Sequence, residues 1–247
     1  MSSPADTPTS RSLIYGLGML RLFTAEQPVR GIAELAELMN LSRPTAHRYA
    51  STCLELGYLE QAPMRRYMLA RRAADPGATL LATLKFTRAA VPILRALREE
   101  TGRTVSLAVL DGAEVLYLRR LCGFERGQYE LEKGLGTGSR RPAGRSAAGR
   151  ALLAAPDGAD GGMKAPANAG RPTLDRGGLR ENALGLATAV HAQAQTRCAI
   201  EITVPADAID APALVEELGE PLHGAGATLR AELEGTSRGP GMAGLAH

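Results

Sequence analysis

Apolar residues near the start of the chain recur at three- and four-residue steps, which is the spacing of amphipathic helices. Two such segments cover 12–25 and 31–40, and a third follows Ser42, a good N-cap that stands two residues before Pro44. Gly57 stands just past the end of this third segment, as a helix C-terminus favours. Two short extended runs follow at 58–60 and 66–69, joined by a Pro-containing connection that predicts a hairpin. Three helices followed by a hairpin predict a winged helix-turn-helix.

The remainder of the chain mixes helical and alternating patterns. Helical spacing covers 76–101, where Pro92 is expected to start or break a helix, and Asp111-Gly112 is a strong hairpin signal between two apolar runs. Strands bracketed by helices predict an α+β domain. The expected elements are strands at 104–110, 114–121, 128–133, 186–193 and 198–204, a loop at 134–145, and helices at about 146–155 and 211–234.

Two segments show no clear period. Residues 1–11 are rich in Ser, Thr and Pro, and 156–178 are rich in Gly, Pro, Ala and Asp, so we expect a loose tail and a long loop or disordered insertion. The predicted domain organisation is a disordered tail (1–11), a winged helix-turn-helix (12–74), a linker helix (75–88), a larger C-terminal domain (89–236) and a second disordered tail (237–247).

Charge changes this picture only locally. The net charge of +3 is too small to indicate nucleic-acid binding by itself. Between Ser42 and Arg72, however, six arginines face only two acidic residues, Glu55 and Glu60. This basic segment coincides with the third helix and the hairpin.

The polar residues of the third helix suit DNA. With its apolar positions buried, this helix would present arginine, histidine and hydroxyl side chains outward, and an α-helix fits the major groove, where such groups reach base edges and phosphates. The hairpin tip could grip phosphates or a minor groove. The alternative is a solvated polar face without a partner. The candidate DNA-binding residues are Arg43, Thr45, His47, Arg48 and Ser51 on the helix, with Arg65 and Arg66 at the hairpin tip.

Other function classes find little support in the sequence. Cys53, Cys122 and Cys198 are far apart and odd in number, which indicates neither disulfides nor a zinc site and fits a reducing cytoplasm. No apolar run is long enough to predict a membrane span. The histidines lie in separate contexts, so we expect no enzyme activity, no catalytic residues, no metal and no cofactor. A redox sensor through Cys122 or Cys198 stays open.

Several segments resemble the IclR-type (isocitrate lyase regulator) family of bacterial regulators. GIAELAELMNLSRPTAHRY (31–49) and LELGYLE (54–60) resemble its DNA-binding domain. The C-terminal half is similar to its effector domain in EETGRTVSLAVLDGAEVLYL (99–118), RSAAGRALLA (145–154), ALGL (183–186) and AIEITVP (199–205).

The resemblance implies a homodimer or tetramer that binds an operator in double-stranded DNA, with a GAF-like C-terminal domain that senses a small molecule. The implied effector is an organic acid or an aromatic metabolite. Glu201 departs from the family pattern, which tends to place a small residue there, and its charge would repel an organic anion. The alternative is a metabolite-binding or protein-interaction module whose winged helix no longer binds specific DNA. By position, the implied effector-binding residues are Ser146, Ala147, Ala148, Thr188, Glu201 and Thr203.

Overall fold

The computed structural model describes residues 9–24, 26–124, 136–154, 173–176, 182–192 and 196–235. The chain divides into two compact units, Met1–Thr83 and Leu84–His247. The predicted strand at 128–133, the C-terminal tail and all but 173–176 of the segment 156–178 lie outside the described residues, as do residues 1–8 of the N-terminal tail.

The described part of the first unit is a winged helix-turn-helix, as predicted. A short antiparallel sheet in the order β1-β3-β2 forms the wing. The strand β1 has only two residues and pairs with β3, which is why no local pattern revealed it. The elements are α1 (Arg11–Leu20), β1 (Val29–Arg30), α2 (Ile32–Leu38), α3 (Arg43–Glu55), β2 (Leu59–Ala62), β3 (Arg66–Leu69) and α4 (Asp75–Thr83).

The ends of α3 are fixed by the residues that the sequence singles out. The Ser42 hydroxyl accepts the backbone N–H of Thr45 at 3.3 Å, which satisfies one of the free donors of the first turn. At the other end Gly57 has φ +76°, and the next amide, that of Tyr58, donates to the Cys53 carbonyl at 2.8 Å. Together with the bond from the Gly57 amide to the Leu54 carbonyl at 3.0 Å, this bond closes the last turn in a Schellman arrangement.

Helix α1 buries different residues from those expected. The spacing at 12–25 puts Leu13, Leu17 and Phe23 on one apolar face, but Leu13 and Leu17 are 60% and 55% exposed, with Ile14 exposed beside them. The core takes Phe23 from that face and Met19 from outside it, together with residues of α2, α3 and the wing. An apolar spacing identifies the helix but does not say which of its apolar residues meet the rest of the unit.

In the second unit, six described strands form one antiparallel sheet in the order β6-β5-β4-β9-β8-β7. Helices α5 and α7 cover one face, and α6 covers the opposite face. This arrangement confirms the predicted α+β class. The elements are α5 (Lys85–Thr101), β4 (Thr104–Asp111), β5 (Glu114–Leu121), β6 (Arg140–Pro142), α6 (Ala147–Leu153), β7 (Thr173–Arg176), β8 (Ala183–Ala192), β9 (Thr196–Pro205) and α7 (Ala211–Gly235).

The helical segment after the wing differs from its prediction. Residues 75–88 do not form one helix, because Leu84 adopts an extended backbone (φ −75°, ψ 96°) between α4 and α5. No glycine or proline marks this break. Pro92, in contrast, lies inside α5 without ending it, at the cost of one backbone hydrogen bond. The role of 75–88 as a linker stays a prediction.

Two edge strands occupy segments that were predicted to be irregular. β6 lies within the expected loop at 134–145 and pairs Arg141 with Val115. β7 lies within the expected insertion at 156–178 and pairs Asp175 with Gly185. Both strands are too short to show an alternating pattern of their own. Each is defined by its pairing with a strand that is distant in sequence, which a local pattern cannot predict.

Candidate functional site

The first candidate site is the outward stripe of α3. Arg43, His47 and Arg48 are exposed, whereas Thr45 and Ser51 are half-buried. Because residues four apart share one face of a helix, Arg43, His47 and Ser51 form a single row. Among the described residues, neither Arg43 nor Arg48 forms an ion pair with an acidic group. The stripe therefore offers uncompensated positive charge to solvent.

Short-range bonds orient the hydroxyl and imidazole groups of this stripe. The Thr45 and Ser42 hydroxyls lie 2.8 Å apart, and the Ser51 hydroxyl lies 3.4 Å from His47 Nδ1. The Arg48 guanidinium lies 5.8 Å from the centre of the Tyr49 ring, within the range of a cation–π contact. Thr45 is thus engaged in the cap of α3, which separates it from the freer Arg43 and His47.

The two arginines at the wing tip have different surroundings. The Arg66 guanidinium donates to the Val29 carbonyl at 2.8 Å and lies 3.6 Å from a Glu34 carboxylate oxygen, so this arginine is tied back to the body of the unit. Arg65 is exposed beside Met64, and both residues have φ 57°. Met64 itself is 87% exposed. Sequence reasoning treated the two arginines alike and did not consider Met64.

The second candidate site lies on the sheet face covered by α6, which we call the inner face. Its central strand positions include Ser106, Ala187 and Glu201, which are register neighbours on β4, β8 and β9. Ser146, Ala147 and Ala148 pack against this face at the start of α6, and Thr203 lies two residues from Glu201 on the same face of β9. Five of the six predicted effector residues therefore come together.

Thr188 is the exception and requires a correction. It neighbours Ala187 in β8, so its side chain points to the opposite face, where its methyl group approaches Gly226 of α7. A Cβ at Gly226 would lie 2.9 Å from that methyl carbon. Because side chains alternate along a strand, Thr188 lies on the face covered by α5 and α7, away from Glu201 on the inner face.

Glu201 is the most unusual residue of the inner face. It is 0% exposed. The Tyr117 hydroxyl donates to its Oε2 at 2.7 Å, while Oε1 accepts no hydrogen bond from the described residues. Tyr117 was missed by the sequence analysis, although it alternates with Val115 on β5, and both are buried on the inner face.

Burial dominates the titration of this pair. Desolvation raises the pKa of Glu201 above the ordinary range, and nearby Asp175 adds to the rise, whereas the Tyr117 hydroxyl, the Arg120 charge and the Ala148 backbone amide oppose it. Desolvation also raises the pKa of Tyr117, and the neighbouring Glu201 raises it further. The tyrosine therefore keeps its proton as a hydrogen-bond donor.

Two arginines border this buried pair. Arg120 donates to the Ser106 hydroxyl at 2.8 Å, and Ser106 pairs with Glu201 in the strand register. Arg150 of α6 pairs with Asp175 of β7 at 2.8 Å, and Asp175 is almost fully buried. The Thr203 hydroxyl has no partner among the described residues. The inner face is thus polar and buried, with positive charge at its margin.

The cysteines give no support to a reactive thiol on β9. Burial raises the pKa of Cys198 to about 12, and His191 opposes Arg197 rather than Cys198 in the strand register. A group of three His, Cys, Asp or Glu side chains able to hold a metal is absent from the described residues. In that same part of the chain, no helix combines the length and apolar character that a membrane span needs.

Two family models match the chain in its two halves. The IclR helix-turn-helix domain matches residues 12–63, and the bacterial transcriptional regulator IclR C-terminal domain matches residues 78–161. Together they cover more than half of the chain. The chain belongs to the IclR family of transcriptional regulators. This family consists of regulators rather than enzymes, and the resemblance noted in the sequence is confirmed.

Curated IclR-family relatives align with part of the chain. The HTH-type transcriptional regulator XynR of Escherichia coli K12 is 28% identical over 148 residues, which cover 60% of this chain and 57% of that protein. The Pca regulon regulatory protein of Pseudomonas putida is 28% identical over 146 residues, or 59% and 49% of the two chains. The chain therefore spans about half the length of the curated relatives it matches.

Solved IclR-type structures share the fold across nearly the whole chain. The IclR homolog of Microbacterium hydrocarbonoxydans, crystallised with 4-hydroxybenzoate, superposes with a TM-score of 0.71 at 21% identity and covers 91% of this chain and 99% of that one. At this identity the likeness establishes the fold alone.

Proposed function

We propose that this protein is a sequence-specific DNA-binding regulator that reads its operator with α3. The observation that carries the proposal is the exposed row of Arg43 and His47 at the start of a capped helix within an IclR helix-turn-helix domain. An arginine near the N-terminus of a recognition helix can bind guanine bidentately in the major groove. In this proposal Arg48 and Ser51, further along α3, meet the DNA backbone. Such a regulator acts in the cytoplasm, where bacterial DNA is found.

The wing supplies a second contact in this proposal. Arg65 is exposed and can meet a phosphate or the minor groove, whereas Arg66 holds the start of β3 against β1 through the Val29 carbonyl. Phosphate contacts orient a protein on DNA without reading sequence. Arg65 therefore contributes affinity, and Arg43 contributes specificity.

The regulator acts as a homodimer. Leu13, Ile14 and Leu17 form an exposed apolar strip on α1, and such a strip is best covered by the same strip of a second copy related by a two-fold axis. A two-fold dimer matches a palindromic operator. Light scattering of a Leu13→Arg, Leu17→Arg variant tests this assignment, since the variant should be monomeric while the wild type is not.

The C-terminal domain controls DNA affinity by binding a small molecule more tightly in one arrangement of the dimer than in another. Support comes from the buried polar inner face and from the related fold that was crystallised with 4-hydroxybenzoate. The resemblance favours an organic acid or an aromatic metabolite. A carboxylate ligand, however, would meet the buried carboxylate of Glu201.

The test is selection of genomic fragments by the purified full chain, repeated with Arg43→Ala. Loss of one good base contact lowers specific affinity by about 1–3 kcal/mol. Arg21→Ala, which removes an exposed arginine at the end of α1, is the matched control for net charge. We expect one enriched motif that persists in the control and is lost in Arg43→Ala. No enrichment, or salt-sensitive binding to any sequence, would favour a module that no longer binds specific DNA.

A further inference from the structure

Glu201 lies at the centre of the inner face and is enclosed by small residues. Ala147, Ala148, Ala187 and Ala199 are all buried around this region. None of these side chains extends beyond a methyl group. The Glu201 side chain therefore fills the space between these alanines. If it were shortened, their methyl groups could not reach into the volume that it vacates.

Gly185 shows how closely the carboxylate is held. A Cβ at this position would lie 2.8 Å from Glu201 Oε1 and 3.2 Å from the Ala147 Cβ. The carboxylate thus extends from β9 over the bare backbone of β8 toward α6. A side chain at residue 185 would displace it.

Hydrogen-bond donors and positive charge converge on the same position. The Tyr117 hydroxyl donates to Oε2 of Glu201 at 2.7 Å. Arg120 donates to the hydroxyl of Ser106, which pairs with Glu201 in the strand register. A carboxylate is stable in an apolar interior only where such groups support it. These supports would serve a ligand's carboxylate equally well if Glu201 were absent.

We propose that Glu201 supplies, from within the chain, the carboxylate that a small organic acid would otherwise bring to the inner face. The site therefore excludes carboxylate ligands in the wild-type protein. This inference deepens the proposed function and rests on it for the link to DNA affinity, whereas occupancy of the site can be measured without DNA.

The exchange of glutamate for alanine removes the equivalent of one acetate ion, CγH₂ and the carboxylate. Glu201→Ala should leave a cavity of that shape beside Tyr117, and Glu201→Gly should leave a slightly larger one. Acetate has only four non-hydrogen atoms with which to gain binding free energy, so it should half-saturate the cavity at a concentration on the order of 1–10 mM. At about 100 mM acetate, binding should raise the folding equilibrium constant of the variant about 10- to 100-fold.

The experiment follows thermal unfolding and calorimetric binding of the full chain at pH 7 and constant ionic strength. Acetate is compared with acetamide, which has the same shape without the charge. We expect acetate to stabilise Glu201→Ala and Glu201→Gly, acetamide to act weakly, and wild type and Glu201→Gln to respond to neither. The wild type should also fail to bind 4-hydroxybenzoate.

Two results would overturn the proposal. One is a saturable stabilisation of the wild type by acetate or 4-hydroxybenzoate. The other is that both shortened variants ignore acetate, or stay unfolded in its presence. Neither readout uses DNA. A failure of the acetate experiment therefore does not contradict the proposed operator binding, and a failure of the operator selection does not contradict the acetate result. If both succeed, acetate should change operator affinity in Glu201→Ala and not in the wild type.

Discussion

The two candidate sites of this regulator place charge in opposite environments. Arg43 and Arg48 on α3 face solvent and have no acidic partner among the described residues, so water stabilises their charge until a partner replaces it. Glu201 is fully buried and depends on Tyr117 and nearby positive charge.

This difference has consequences for mutation. Substituting an exposed arginine removes an intermolecular contact and leaves stability within about 0.5 kcal/mol of wild type. Substituting a residue of the inner face changes packing and desolvation, and so changes stability first. The first site is open to solvent, whereas the second is already covered by the protein itself.

The largest effect on stability is expected at Gly149, the third residue of α6. A Cβ there would collide with the backbone carbonyl of Ala143, which cannot move aside as a side chain could. Gly149→Ala should lower the free energy of unfolding by about 1–3 kcal/mol. Gly144→Ala is the control, since a Cβ at Gly144 meets nothing within 4 Å. Denaturant melts of both variants measure the difference, and equal stabilities would contradict the packing of α6 described above.

The next effect is a pH dependence carried by Glu201. Burial raises its pKa in the folded state, so between the unfolded and folded pKa values the folded state holds a proton that the unfolded state releases. This contribution to stability is fully present below the unfolded pKa and is lost as pH rises through the folded value, at up to about 1.4 kcal/mol per pH unit.

Glu201→Gln removes this titration. Its stability relative to the wild type should therefore increase as pH rises from 5 to 8, as followed by denaturant melts at each pH. Glu216→Gln, at an exposed position of α7, serves as the control. A wild-type protein that becomes more stable relative to Glu201→Gln with rising pH would contradict the assignment.

A smaller effect separates the two wing arginines. Arg65→Ala should weaken DNA binding by a similar factor for all sequences and reduce the salt slope by about 1, with unchanged stability. Arg66→Ala should lower stability by about 0.5–1.5 kcal/mol, because it removes the bond to the Val29 carbonyl. Salt-dependent binding isotherms and thermal melts distinguish them. The same phenotype for both variants would show that the wing adopts another arrangement on DNA.

The smallest expected effect is at Cys198. With a pKa of about 12, only about one thiol in 10⁴ is ionised at pH 8, and the side chain is fully buried. An alkylating reagent should leave Cys198 unmodified in the folded protein, while Cys122, which is partly exposed, reacts first. Mass spectrometry of the labelled chain gives the order. Rapid labelling of Cys198 would contradict this expectation and would support a redox-sensing role for its thiol.

The sequence predicted the arrangement of residues in the first candidate site better than in the second, because the first is local. Ser42, Pro44 and Gly57 act within one helix, and the outward row of α3 follows from helical spacing alone. The inner face joins residues of β4, β5, β8, β9 and α6, so Tyr117 and Asp175 gave no local sign of their roles. Thr188 was grouped with Glu201 by resemblance alone, whereas its alternation with Ala187 places it on the other face of the sheet.

By itself, then, the amino-acid sequence determined the helix-turn-helix, its capped third helix, the α+β class and the family, because caps, turns and apolar spacing act over a few residues. Only the tertiary structure decided that Leu13 and Leu17 stay exposed, that Arg66 is tied to β1, and that Glu201 is enclosed beside Tyr117. Burial and hydrogen bonding between distant segments depend on how those segments meet, and no local pattern encodes that meeting.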